Sequence, residues 1–254
     1  MRRGGVAGDA MSQADTPGLH DEDALASFIG KWRARWPEWA LAEGFVPPAQ
    51  RETALAWAAL QQELGDAAWG GRDARPGELK LGWWVEELQG WKQGRRRHPL
   101  GQVLQRQSAP WGTLAAALPE LAEARERPLD GDDAHRQVVG LATAIAAVEV
   151  ALFQAEGGLG DVEAASACLL YARLLAGGEA AVPLALLARA GESGARGAWI
   201  AELRQGRPAP TAATSVPRRL WAALAHARLH RADAAAPLPP WRALWTAWRG
   251  ARGR

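Results

Sequence analysis

The chain is poor in several residue types that mark common protein classes. It has one cysteine in 254 residues, which excludes both an internal disulfide and a cysteine-based metal site. β-Branched residues are sparse, and no stretch alternates apolar and polar residues with the period of two that a half-buried strand requires. No segment approaches the roughly 18 uninterrupted apolar residues that span a bilayer. These shortages favour a helical protein.

Lysine is also scarce, and the overall charge is nearly balanced. The 30 basic and 28 acidic residues leave a net charge of +2, which gives no reason to expect a nucleic-acid partner. The first residues, MRRGGVAGDAMSQ, are basic but no apolar stretch follows them, so they do not resemble a signal peptide. The lone cysteine, Cys168, lies in the apolar run ASACLLYARLLA and is predicted to be a buried, unreactive thiol. We therefore expect a cytoplasmic protein.

A single folded domain is predicted over residues 16–254, preceded by a disordered extension over residues 1–15. The extension is small, polar and rich in glycine, and Met11 could be the true start instead of Met1. Further along, the stretch RPAPTAATSVP has the composition of a connector between helices. Because the composition does not shift across it, the helices on both sides are assigned to one domain.

Tryptophan is what the chain has in excess, with 14 tryptophans against one tyrosine and three phenylalanines. Each tryptophan buries a large apolar area while keeping one N–H donor. Two interpretations are open: tryptophan fills the core generally, or it forms the walls of a wide apolar cavity. Cavities are few in any protein, so general core filling is the commoner use.

Alanine and leucine dominate a succession of segments with helical periodicity. The first helix is predicted to begin at the acidic turn DEDAL. A short helix, LGQVLQRQS, is bracketed by prolines. A long helix over AHRQVVGLATAIAAVEVALFQAE is predicted to be capped by Asp132 or Asp133. The shorter segments PLALLARAG and ARGAWIAELRQG are predicted as separate helices, and the whole pattern predicts an all-α bundle.

One segment, LKLGWWVEELQGWKQGRRRHPLG, combines an apolar stripe with a cluster of charges. Four large apolar residues recur at steps of three, four and three, which predicts one buried helix face: Leu81, Trp84, Leu88 and Trp91. Trp83 and Glu87 lie off that stripe. The following cluster, Arg95 to His98, could grip a phosphate, but a solvated loop is the commoner structure for a charge run. His98, directly before a proline, is predicted to cap a helix rather than to catalyse.

This segment and the preceding FVPPAQRETALAWAALQQELGDAAW together resemble the squalene/phytoene synthase family. The resemblance covers residues 45–104 and rests on the Trp-Trp-x-x-Glu-Leu helix and the His-Pro-Leu turn; beyond them only helix order and length agree. It implies an isoprenoid-synthase-like, single-domain helical bundle around a deep apolar cavity. In that family, two aspartate-rich helix segments face each other over the cavity mouth and hold Mg²⁺, which neutralises the leaving diphosphate.

The resemblance also implies that most of those magnesium ligands are missing here. Gly65 and Trp69 stand where the first segment should have aspartates, and Gln62 stands where active members have an arginine. The second segment should fall at LLYARLLAGGEAAVPL, which offers one arginine and one glutamate. No catalytic residue and no metal ligand is assigned. The candidate residues of the pocket mouth are Gln62, Glu63, Asp66, Trp69, Tyr171, Arg173 and Glu179.

Two functions follow as expectations from this resemblance. The first is a protein that has lost magnesium-dependent prenyl condensation and acts as a binding or assembly module for an isoprenoid-like lipid or a protein partner, with no cofactor. The second is an active head-to-head prenyl transferase that holds Mg²⁺ through unconventional ligands: Glu63, Asp66 and Glu179. The missing carboxylates favour the first expectation.

Two features near the C-terminus have a structural and a functional interpretation. His226 and His230 share a helix face and could bind a metal, but no third ligand is evident. The last segment has an aromatic stripe with basic neighbours: Trp241, Leu244, Trp245 and Trp248 with Arg242, Arg249, Arg252 and Arg254. Such a stripe commonly closes a helical core. Alternatively it could rest on an anionic membrane surface, which would make the protein membrane-peripheral.

Overall fold

Helices account for most of the chain in the computed structural model, which describes residues 17–206 and 213–253; the predicted extension at residues 1–15 lies outside these ranges. No strand occurs within them, so the all-α prediction is confirmed. Three short 3-10 turns accompany the α-helices, at Glu43–Phe45, Pro48–Gln50 and Gly178–Ala181. The α-helices are α1 (Pro17–Arg35), α2 (Trp39–Ala42), α3 (Arg51–Trp69), α4 (Arg75–Lys92), α5 (Gly101–Leu104), α6 (Trp111–Glu123), α7 (Gly131–Phe153), α8 (Leu159–Gly177), α9 (Leu184–Gln205), α10 (Val216–Leu229) and α11 (Pro240–Ala251).

Helix α3 lies at the centre of the bundle. Most of its residues are buried, because alanine, leucine and tryptophan dominate the helix and its buried polar side chains find partners on other helices. Helices α1, α4 and α8 pack against it, α4 and α7 are joined through α6, and α10 connects α8 to α11. The centre of the bundle therefore lies among α3, α7, α8 and α10.

The stripe on α4 is buried as predicted: Leu81, Trp84, Leu88 and Trp91 are all at most 3% exposed. Glu87, which was expected outside the stripe, is buried as well. Its carboxylate accepts hydrogen bonds from the indole N–H of Trp91 and from the backbone N–H groups of Arg97 and His98. The periodicity missed Glu87 because its burial depends on partners from the loop that follows the helix.

Several helix ends differ from the predicted ones. Helix α1 begins at Pro17, earlier than the acidic turn, and α5 contracts to Gly101–Leu104. Helix α7 is capped by Asp130, whose carboxylate accepts from the N–H of Asp133, while Asp133 accepts from the N–H of Leu129. Asp130 and Asp133 together satisfy two backbone N–H donors. A single cap at Asp132 or at Asp133, as predicted, would satisfy only one.

The range α9 contains the two helices that were predicted as separate, and they meet at a break at Gly191. At Gly191 φ is +66°, a left-handed conformation that glycine adopts without strain. Helix α7 is long and apolar enough to cross a membrane by length and composition, but more than half of that stretch is buried inside the protein. Such burial is typical of a core helix.

Tryptophan fills the core, as the commoner interpretation of its abundance predicted. Ten of the 14 tryptophans are buried, and Cys168 is buried among them. Edge-to-face contacts link many of the rings, for example Trp32 with Trp39 at 5.0 Å and Trp91 with Trp111 at 5.0 Å. Such contacts add to the hydrophobic gain of burying the rings.

The C-terminal stripe is the exception, and its predicted role in closing the core is wrong. Helix α11 packs with its small residues, Ala243, Ala247 and Gly250, against its neighbours. A Cβ atom on Gly250 would lie only 3.1 Å from the Cβ of Ala223, so the close approach of α11 to α10 requires a glycine. The close approach of the two backbones leaves the large aromatic residues of α11 on the outside.

Replacement of Trp84 by alanine tests the packing of the α4 stripe. Trp84 is fully buried and contacts the rings of Trp91 and His98, so we expect the Trp84→Ala variant to lose ~3–5 kcal/mol in the free energy of unfolding. Urea denaturation followed by circular dichroism measures the change. Trp241→Ala, at an exposed position on α11, is the matched control and should change stability by less than ~0.5 kcal/mol. Equal losses in the two variants would contradict the packing described here.

Candidate functional site

The cavity nearest to the predicted pocket mouth lies between α1, α3, α8 and α10, and we call it the central pocket. Four of the seven candidate residues line it: Gln62, Asp66, Trp69 and Tyr171. Its volume is about 40 Å³, enough for one or two water molecules. Pockets that hold a drug-sized ligand measure about 300–1,000 Å³, so this space cannot accommodate a prenyl chain.

Aromatic rings form much of the lining of the central pocket. Trp36, Trp69 and Trp221 all line it and are buried. Trp69 stacks over Gly65, with its ring in van der Waals reach of a Cβ atom at that position, and its indole N–H donates to the carbonyl of Ala124 at 3.1 Å. The resemblance to the squalene/phytoene synthase family implies aspartates at positions 65 and 69. In this structure Gly65 and Trp69 occupy these positions and pack against each other.

The carboxylates of α3 point to different partners. Asp66 pairs with Arg35 of α1 at 2.7 Å, at the edge of the central pocket. Glu63 pairs with Lys80 of α4 at 2.6 Å, outside the pocket. A magnesium site needs oxygen ligands that converge on one point. These two carboxylates do not converge, because Glu63 and Asp66 bind basic partners on two different helices.

Arg173 and Glu179 also lie away from the central pocket. The guanidinium of Arg173 is buried, donates to the Gln137 side chain at 2.7 Å and to the carbonyl of Glu126, and so ties α8 to the start of α7. Burial lowers the pKa of Arg173 to about 10. Glu179 is exposed in the turn after α8. The seven candidates thus divide: four line the pocket, while Glu63, Arg173 and Glu179 stabilise contacts elsewhere or face solvent.

A buried polar cluster at the centre of the bundle was not predicted, and we call it the Arg218 cluster: Trp57, Gln61, Glu149 and Arg218. Arg218 donates to the Glu149 carboxylate at 3.1 Å and to the Gln61 side chain at 2.6 Å. Trp57 donates its indole N–H to Glu149 at 2.7 Å. Burial alone would lower the pKa of Arg218, but the charge of Glu149 outweighs it and raises that pKa. The cluster joins α3, α7 and α10 at one point.

One signal in the sequence could have identified this cluster. Glu149 is the only ionisable residue between Arg136 and the end of α7 at Phe153. A single charge on an apolar helix must find a buried partner or remain uncompensated, since an unpaired buried charge is costly. The sequence alone could not identify that partner, because Arg218 lies 69 residues away.

A second buried pair connects the other end of α10 to the residue before α2. Arg228 donates to the carboxylate of Glu38 at 2.8 Å, and its guanidinium lies 4.2 Å from the ring of Trp36. Burial would raise the pKa of Glu38, but hydrogen bonds from Arg228 and from the N–H of Leu238 lower it. Tyr171 lies beside this pair and donates its hydroxyl to the carbonyl of Ala234 at 2.7 Å. These contacts make Tyr171 part of the packing.

A larger cleft of about 210 Å³ opens between α7, α8, α9 and α10. Its floor is apolar and its polar lining residues come from three helices: Asp132, His135, Glu202 and His226. Among residues 17–206 and 213–253, no group of three or more histidine, cysteine or carboxylate side chains could hold a metal ion. None of the carboxylates that the resemblance would assign to magnesium, Glu63, Asp66 and Glu179, lines this cleft.

The loop from Arg95 to His98 is exposed at its three arginines, as the commoner interpretation of the charge run predicted. Arg97 folds back onto Glu87 at 3.1 Å. The ring of His98 packs 4.5 Å from the rings of both Phe28 and Trp84, and its Nδ1 accepts from the N–H of Leu100. Burial lowers the pKa of His98 to about 4, against the opposing charges of Glu63 and Glu87.

The depressed pKa of His98 predicts a specific dependence of stability on pH. The unfolded chain has an ordinary histidine pKa of about 6.5 and therefore binds more protons than the folded chain between about pH 4 and pH 6.5, so stability falls as the pH drops through this range. His98→Asn keeps an oxygen acceptor for the N–H of Leu100 but does not titrate. Urea denaturation at several pH values should show a smaller loss for the variant than for the wild type, and parallel curves would contradict the assignment.

Comparisons with protein-family models, with curated proteins and with solved structures found no match to this chain. The resemblance to squalene and phytoene synthases thus stays a prediction from the sequence. The bundle combines a small central pocket, carboxylates that do not converge, and an interior held by buried ion pairs.

Proposed function

We propose that this protein is a non-catalytic binding or assembly module built on a squalene/phytoene synthase-like helical bundle. The observation that carries the proposal is the separate pairing of Asp66 with Arg35 and of Glu63 with Lys80. Carboxylates engaged in this way on two sides of α3 are not free to share a magnesium ion. The active prenyl transferase with Glu63, Asp66 and Glu179 as ligands would need all three to move together.

The small volume of the central pocket favours a partner that binds to the outside of the bundle. A space of about 40 Å³ lined by Trp36, Trp69 and Trp221 is far smaller than an isoprenoid chain needs. Enlarging it would break the contact of Trp69 with α6 and disturb the well-packed centre, where misfit is costly. An isoprenoid-like lipid is therefore a weaker candidate than a protein or a membrane surface that contacts exposed side chains.

The proposal is tested by assaying the purified protein with radiolabelled farnesyl diphosphate and either Mg²⁺ or Mn²⁺. We expect no squalene-type product and no effect of Mg²⁺ on the affinity for farnesyl diphosphate in calorimetry. Loss of a single electrostatic stabiliser typically lowers a rate by about 10²–10³. Here the three candidate magnesium ligands, Glu63, Asp66 and Glu179, do not converge on one point.

The decisive comparison uses two carboxylates on the same helix. Asp66 lines the central pocket, whereas Glu52 is exposed near the start of α3. Turnover by the wild type that disappears in Asp66→Ala and persists in Glu52→Ala would overturn the proposal and favour the active enzyme. Turnover that persists unchanged in both variants would indicate a contaminating activity and leave the protein itself without one.

A further inference from the structure

The outer face of α11 carries the most concentrated set of exposed aromatic side chains among the described residues. Trp241, Leu244 and Trp245 are 67%, 48% and 56% exposed. Trp248 completes the same face and stacks on Trp245, with ring centroids 4.9 Å apart. The spacing of three, four and seven residues keeps all four on one side of the helix. Water faces this stripe, because the small residues of α11 make the contact with the bundle.

Arginines lie on and beside this aromatic face. Arg242 lies over the ring of Trp241, with 5.2 Å from guanidinium to ring centroid, and Arg252 lies over Trp248 at 4.1 Å. Stacking of this kind holds the charged groups close to the apolar surface instead of away from it. Arg249 is exposed in the last turn of the helix. The face therefore presents both apolar rings and positive charge.

A groove of about 590 Å³ runs between α10 and α11 along this face. Its lining includes His226, His230, Arg242, Arg249 and Trp245, and no carboxylate side chain is among the described residues that line it. Of the seven arginines from residue 213 to residue 253, three are buried in the bundle, and the surface charge comes from the other four: Arg231, Arg242, Arg249 and Arg252. The one acidic residue in this range is Asp233. The carboxylate of Asp233 accepts from the N–H of Ala235 in the connection between the two helices. The charge of this surface is thus strongly one-sided.

We propose that α11 docks the protein on the surface of an anionic phospholipid membrane. Trp241, Leu244 and Trp245 enter the interfacial layer, where the indole ring is favoured because it is apolar with one polar N–H. Arg242 and Arg249 bind lipid phosphate groups from the groove, since the planar guanidinium can donate two hydrogen bonds to one phosphate. This membrane contact goes beyond the proposed function, which concerns the absence of prenyl condensation. The two can fail separately, because vesicle binding and prenyl turnover are measured in different assays.

The charge of the surface favours a membrane over a protein partner. An arginine close to an anionic leaflet gains about a factor of five in affinity, and several act together here. Helices that lie in the interface have an aromatic or aliphatic face beside basic residues, as α11 does. The helix itself needs no rearrangement to bind, because the apolar side chains are already outside.

The experiment is flotation of the full chain with vesicles of pure phosphatidylcholine and with vesicles that contain about 30% phosphatidylglycerol, a content that gives a negative surface potential. We expect binding to the anionic vesicles, weak binding to the neutral ones, and release at about 0.5 M NaCl, where the screening length is only a few ångströms. The double variant Arg242→Gln/Arg249→Gln should bind at least tenfold more weakly, and Trp241→Ser/Trp245→Ser should lose most of its binding.

Matched controls use exposed residues on other faces. Leu129 and Leu159 are 62% and 83% exposed, and Arg72 and Arg75 lie in and after the loop between α3 and α4. The variants Leu129→Ser/Leu159→Ser and Arg72→Gln/Arg75→Gln should bind vesicles as the wild type does. Circular dichroism verifies that every variant is folded.

Three outcomes would overturn the inference. The first is equal binding to neutral and anionic vesicles, which would remove the role of the arginines. The second is the absence of vesicle binding combined with saturable binding of inorganic phosphate, which would assign the groove to a free anion. The third is the absence of vesicle binding combined with concentration-dependent self-association that the Trp241→Ser/Trp245→Ser variant abolishes, which would assign the face to a second copy of this chain.

Discussion

The pairing of Arg218 with Glu149 is the constraint on which the rest of the bundle depends. Both side chains are buried at the centre, where an uncompensated charge would be costly. Arg218 therefore fixes the position of α10 relative to α7, and its bond to Gln61 fixes α10 relative to α3 as well. Charged hydrogen bonds between buried groups favour the arrangement of these helices in which both charges are paired.

The consequences of this constraint extend from the interior to the surface. At its other end, α10 holds the turn between α1 and α2 through Arg228 and Glu38. The central pocket beside Arg218 is then reduced to a small space, because Trp36, Trp69 and Trp221 pack into it. With α10 fixed, the contact of Gly250 with Ala223 places α11 so that its tryptophans face outward. The same helix thus closes the interior and supports the exposed aromatic face.

Parts of this arrangement follow from the sequence and parts do not. The stripe of Leu81, Trp84, Leu88 and Trp91 was predictable, because helical periodicity alone determines which residues share a face. The burial of Glu87 was not, since it depends on donors from the following loop. The resemblance supplied all the pocket candidates. Gln62, Asp66 and Trp69 line the pocket together because their spacing puts them on one face of α3. Glu63 faces Lys80 of α4, and Arg173 and Glu179 lie elsewhere. The orientation of α11 depends on how closely Gly250 lets two helices approach, which periodicity does not report.

A double-mutant cycle on the central pair tests this account most directly. Urea denaturation should show that Glu149→Gln and Arg218→Met each lower the free energy of unfolding by about 3–5 kcal/mol, because each leaves a buried charge uncompensated. The double variant should lose much less than the sum of the two, since it removes both charges. The exposed pair Arg33 and Glu43 is the matched control, with an expected coupling below about 1 kcal/mol. Single variants that cost less than about 1 kcal/mol, or losses that add without coupling, would contradict the claim that this pair organises the bundle.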